Sequence, residues 1–122
     1  MKTKGQIEAE ISEGIIKFER EYMGRGPEEA RAYIMDDLVV VRLRGVLTPA
    51  EVQLTRDDPT GKGRMLIKQV RMELLEKGRS LLDAVILNAM GQGIKSLHTD
   101  ISTITGERII VFSLNKSPAA QK

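Results

Sequence analysis

The 122-residue chain has no cysteine, no tryptophan, one histidine, two tyrosines and two phenylalanines. Without cysteine it forms no disulfide, no thiolate nucleophile and no thiolate zinc site. A single histidine, His98, excludes a multi-histidine metal site within one subunit. With aromatics at only 3%, the core must be built from Ile, Leu, Val and Met, and the ring platforms that stack single-stranded nucleic acid are missing. A strong charge of one sign is absent too: 19 basic against 17 acidic residues give +2, too little for a global nucleic-acid field. Long apolar runs are also lacking. The longest, from Leu81 to Met90, is interrupted by Asp83 and Asn88 and falls short of the roughly 20 residues of a membrane span. Met1-Lys2-Thr3-Lys4-Gly5 leads into a charged segment, so no signal peptide is expected.

What is present suits a globular chain, with hydrophobic residues at 41% and charged ones at 30%. The length suits one domain over 1–115, followed by a flexible tail over 116–122. Ile7, Ile11, Ile15, Phe18 and Tyr22 lie on one helical face, which predicts a helix over 4–23 with Thr3 and Gln6 as its capping box. Gly24-Arg25-Gly26-Pro27 ends it. Residues 30–44 read as a hairpin turning at Asp36-Asp37, with Ala30, Ala32, Ile34, Val39, Val41 and Leu43 on its apolar face. Thr48-Pro49-Ala50-Glu51 is a strong helix start that capping explains in full. One long central helix is predicted over 62–90, with a core stripe of Leu66, Val70, Leu74, Leu81 and Val85.

A second hairpin spans 95–114, turning near Thr105-Gly106, with pairs Thr103–Arg108, Ile101–Ile110, Thr99–Phe112 and Leu97–Leu114. Each hairpin has one greasy face. The fold class is therefore α+β: a two-layer sandwich of a four-stranded antiparallel sheet, with the N-terminal and central helices on one side.

The other sheet face gathers the candidate site: Arg31, Tyr33, Arg42, Arg44, His98, Asp100 and Ser102. Arg31 and Arg42 face each other across the first hairpin and repel unless an anion or a carboxylate sits between them. One reading is a small-anion or nucleotide site; the other is a covered interface, favoured because Met35, Leu38, Val40, Ile109 and Val111 make that face too apolar for open water. Ser113, His98 and Asp100 can be drawn as a hydrolytic grouping, but flat adjacent strands offer no oxyanion hole, so no catalytic residue is expected. The Gly-x-Gly pairs never extend to a nucleotide loop. Arg64, Lys68, Arg71 and Arg79 could touch nucleic-acid phosphates weakly, yet Glu73 and Glu76 interleave with them, as on a solvated face. No metal and no cofactor are expected.

Three separated stretches carry a family resemblance: Tyr22-Met23-Gly24-Arg25-Gly26-Pro27, Leu43 through Glu51, and His98 through Arg108. Together they resemble the bacterial MpsC-like family, labelled after the C component of a sodium-translocating, membrane-potential-generating system. The resemblance covers nearly the whole chain and implies a cytoplasmic accessory protein linked to a membrane cation or bicarbonate system. It supplies no catalytic mechanism. The expected function is a soluble homodimeric interaction module with a membrane-protein partner and no direct membrane insertion.

Overall fold

A computed structural model describes residues 2–117; part of the expected tail, 118–122, lies outside them. The first helix, α1 (Lys4–Glu21), begins with the reciprocal capping box of Thr3 and Gln6. Its buried face carries Ile11, Ile15, Phe18 and, at the next helical step, Glu19. A tight hairpin follows, β1 (Glu29–Met35) and β2 (Leu38–Arg44), in which Asp36 takes a positive φ of 53° at the turn. The register is the expected one, with Ala30, Ala32 and Ile34 opposite Leu43, Val41 and Val39. Helix α2 (Pro49–Thr55) starts with the second capping box, Thr48 and Glu51.

The remaining elements are α3 (Lys62–Lys77), α4 (Arg79–Met90), β3 (Ile94–Ile101) and β4 (Arg108–Leu114). The strands form one antiparallel sheet in the order β1-β2-β4-β3, so the two hairpins join through β2 and β4. This is an α+β two-layer sandwich. Its core lies between the inner sheet face (Val39, Val41, Leu43, Ile110, Phe112 and Leu114, all at 1% exposure or less) and buried residues of α1, α3 and α4. Edge strand β1 is tied to α1 where the Ile34 N–H donates to Glu8 Oε2 at 2.8 Å. That contact consumes a donor which would otherwise invite another strand.

The structure differs from the sequence expectation in three places. The central helix is two helices, broken at Gly78, whose backbone leaves the helical region at φ −90° and ψ 7°, and an aromatic pair leaves no room for a side chain there. A Cβ at 78 would lie 2.8 Å from Tyr22 and 2.9 Å from Phe18, whose rings stack at 5.1 Å. The buried stripe also runs one residue further along than expected. Ile67, Arg71 and Leu75 are buried on α3, and Leu82, Ile86 and Met90 on α4, while Leu66, Val70 and Leu81 are about half exposed. Finally, the second hairpin pairs Ile101 with Arg108, Thr99 with Ile110 and Leu97 with Phe112, two residues off the expected register. The connection Ser102–Glu107 is wider than a tight turn, closing through Ser102 N–H to Glu107 O at 2.8 Å with Gly106 at φ 75°. A slip of two conserves side-chain parity, so the residues that remain in the strands keep their faces, while Ser102 passes from the expected outer face into the turn.

Candidate functional site

Among the described residues the outer sheet face carries no helix, and it presents its side chains in rows across the four strands. One row reads Tyr33, Val40, Val111, His98; the next reads Arg31, Arg42, Ile109, Asp100. The arginine hairpin and the His98–Asp100 strand therefore share a surface but sit at opposite sides of it. Two strand spacings separate Arg42 from Asp100, about 10 Å, and three separate Tyr33 from His98, about 14 Å. The centre between them is aliphatic, with Val40, Ile109 and Val111 each half-buried.

Arg31, Tyr33, Arg42 and Arg44 do come together, lining with Glu29 a recess of about 100 Å³. Carboxylates resolve the repulsion that the opposed arginines pose. Glu29 takes Arg31 at 3.0 Å and lies 3.8 Å from Arg44, and Glu107 takes Arg42 at 2.6 Å. The Arg31 hydrogen bond holds the Glu29 carboxyl below its ordinary pKa, and the Arg31 guanidinium is raised in turn. Asp100 is not part of that cluster. It accepts the Ile101 N–H at 2.8 Å and pairs with Lys68 of α3 at 3.3 Å, and both interactions lower its pKa.

His98 is exposed, opposite Val111, and its ring makes no hydrogen bond among the described residues. Ser113 lies opposite Ser96, so the Ser113–His98–Asp100 grouping is not assembled. Ser102 lies beyond β3 in the turn, where its Oγ accepts the Thr105 N–H at 3.2 Å.

A second ionic centre escaped the sequence reading, and it is buried. Arg71, 3% exposed, donates from Nε and Nη2 to the two oxygens of Glu51 at 2.8 and 2.5 Å, and from Nη2 to Val46 O at 2.8 Å. Its Nη1 lies 3.9 Å from Glu19 Oε1, an ion pair without a hydrogen bond. Arg108, 2% exposed, donates to Thr99 Oγ1 at 3.2 Å, while its Nη1 and both Glu19 oxygens have no hydrogen-bond partner among the described residues. Burial pushes the Glu19 carboxyl up in pKa, against the opposing pull of Arg108 and Arg71. Burial likewise lowers Arg108. In Glu51 burial is outweighed by the hydrogen bonds from Arg71 and Thr48, so its carboxyl titrates low. The four side chains come from α1, α2, α3 and β4 and balance to zero formal charge. Chemically this centre is a lock between elements, since Arg71 fixes α3 to α2 and to the chain leaving β2.

Among the described residues, no helix is long and apolar enough to cross a membrane. Residues 3–116 match a family model described as Na+-translocating membrane potential-generating system (MpsC). The chain is also similar to the uncharacterized protein YbcI of Bacillus subtilis (strain 168), with 44% identity over 113 residues that cover 93% of this chain and 89% of that protein. No solved structure matches it.

Proposed function

This chain belongs to the MpsC family, and from that premise we propose that it is a cytoplasmic accessory module of a membrane cation-transport system. It acts through the open outer face of its sheet. The observation that supports this reading is the composition of that face. Val40, Ile109 and Val111 form an aliphatic centre, Tyr33 and Met35 stand 43% and 52% exposed beside it, and ion pairs rim it. An apolar centre with a charged rim is the anatomy of a protein interface. The occupant is a second copy of the chain, and the resulting homodimer docks on the transport component.

Light scattering on the purified protein tests the dimer. Val111→Glu, at the centre of the face, converts dimer to monomer without changing the circular dichroism spectrum. A wild-type monomer at every concentration up to the millimolar range refutes homodimerisation. Cross-linking in cells tests the docking, and a cross-link map that holds no transport protein refutes that part.

A second reading rests on the recess lined by Arg31, Tyr33, Arg42 and Arg44, where three guanidinium groups share the carboxylates of Glu29 and Glu107. A small anion could bind to that residual positive charge. Calorimetry with phosphate, bicarbonate and nucleotides decides it, since binding that persists unchanged in Arg42→Ala, or no heat at all, removes this reading.

A further inference from the structure

Away from the sheet face, three loops meet around a cleft of about 320 Å³ that neither reading above uses. One loop leads from α1 to β1 and brings Arg25 and Glu28. Another leads from β2 to α2 and brings Leu47 and Pro49. The third is the β3–β4 connection, with Thr103 and Ile104 at its tip. The stretches that carry the family resemblance thus converge on one concavity of a size suited to a small molecule.

Its polar groups are unspent. Arg25 is half-buried, makes one long hydrogen bond to Gly45 O at 3.4 Å and enters no ion pair among the described residues. Glu28 lies on the same wall. It packs over Gly45, where a Cβ would come within 2.6 Å of its carboxyl carbon, and it too has no ionic partner among the described residues. The two do not pair with each other, since no approach within the ion-pair distance of 4.0 Å joins them. Thr103 is only 9% exposed, yet its hydroxyl makes no hydrogen bond among the described residues and its side chain lines the cleft. The hydroxyl oxygen itself is not sealed from solvent: it opens onto the cleft, where water or a ligand bonds it.

The apolar groups are equally suggestive. Leu47, Pro49 and Val52 give the cleft a greasy floor, and Ile104, 88% exposed, stands at its edge with most of its side chain in water. A ligand with an aliphatic body would withdraw that side chain from solvent. A ligand bearing only an anion would meet Arg25 favourably and Glu28 unfavourably; one bearing only a cation would meet the reverse. A molecule carrying both charges and an aliphatic group satisfies all of these surfaces.

We propose that this cleft binds a free α-amino acid with an aliphatic side chain. Its carboxylate is held by Arg25 and the Thr103 hydroxyl, its ammonium by Glu28, and its side chain lies against Leu47, Pro49 and Val52 under Ile104. The inference is independent of the sheet-face reading, because none of these residues belongs to the outer sheet face.

The test is an amide chemical-shift titration of the full chain with L-leucine, set beside 4-methylpentanoate, which lacks only the ammonium, and isoamylamine, which lacks only the carboxylate. L-Leucine moves the amides of Thr103 through Gly106 and saturates, while each single-charge analogue binds about tenfold or more weakly. Arg25→Gln and Glu28→Gln each weaken L-leucine by a similar factor. Both are loop side chains with little structural bonding, and Arg25→Lys serves if Arg25→Gln does not fold. No saturable shift, shifts confined elsewhere, analogues that bind as well as L-leucine, or variants that bind like the wild type would each overturn the assignment.

Discussion

Replacing Arg71 by methionine removes the cation around which α2, α3 and the chain leaving β2 are joined, while keeping a side chain that fills the same space. Three hydrogen bonds vanish, two to Glu51 and one to Val46 O. Glu19, fully buried, also loses one of its two nearby cations. Removing one partner of a buried ion pair typically costs about 3–5 kcal/mol, because the remaining charge stays desolvated and uncompensated. For 122 residues the unfolding entropy near 60 °C is about 0.26 kcal/mol/K, so the melting temperature should fall by about 12–20 °C.

Burial rather than distance decides this number. The Arg42–Glu107 pair is as close, at 2.6 Å, but its side chains are 44% and 30% exposed. Surface pairs of that kind are worth up to about 1 kcal/mol, so Arg42→Ala should lower the melting temperature by no more than about 4 °C. Calorimetric melts at pH 7 provide the comparison. A double-mutant cycle of Arg71→Met with Glu51→Gln should return a coupling of about 1.5 kcal/mol or more. If Arg71→Met melts within about 4 °C of the wild type, or if the coupling is below about 0.5 kcal/mol, the buried centre is not a lock and the argument fails.

The same centre sets a pH dependence whose two halves have opposite sign. Glu19 titrates above its ordinary 4.5, so the folded chain keeps a proton that the unfolded chain releases, and stability is lost as pH rises from 4.5 through the folded value. Glu51 titrates below 4.5, so its contribution is present above 4.5 and lost as pH falls through its folded value. Urea unfolding across pH 3–8 should show Glu19→Gln without the first slope and with the second, below 4.5, intact; an unchanged slope above 4.5 contradicts the assignment. Two glycines on helices should respond to alanine in opposite directions. Gly5→Ala meets only Thr3 Oγ1 at 4.0 Å and should gain up to about 1 kcal/mol from helix propensity. At Gly63 a Cβ would lie 1.9 Å from Leu54 O, so Gly63→Ala must push α3 off α2 and destabilise, and a stabilised variant in the same melts would show that this approach is not tight.

The layer arrangement was legible because parity is robust. The first hairpin has a two-residue turn at Asp36-Asp37, which fixes the register of Ala32 against Val41 and Ile34 against Val39 with no freedom to slide. The second hairpin has a longer connection, so its register could not be read from the turn residues, yet the error of two left Ile101, Ile110 and Phe112 on the inner face. On the candidate site, sequence alone placed Arg31 opposite Arg42. It could not supply the strand order, which puts β4 between the arginines and His98, nor the reach of Lys68 that takes Asp100 away from them.

The buried ionic centre was missed for a reason that the residues themselves make plain. On α3 the stripe Ile67, Arg71, Leu75 carries an arginine at its middle step, so a search for unbroken apolar spacing selects Leu66, Val70 and Leu74 instead. On α1, Glu19 extends the Ile11, Ile15 spacing by one turn, and on β4, Arg108 begins the same every-second-residue row as Ile110 and Phe112. Each of these charges occupies a core-face position of its own element, where any one alone reads as an imperfection of the pattern. Taken together they are an anion and two cations facing one core, and such charges are retained in an interior only when they meet. Glu51 completes the set, and it was overlooked because its capping role is real: Oε1 accepts the Thr48 N–H at 2.8 Å and the Arg71 Nη2 donor as well. A residue with one sufficient local explanation can still have a second, long-range one. The signal that would have exposed it was the unmatched balance of charge among Glu19, Arg71 and Arg108, which one further carboxylate brings to zero.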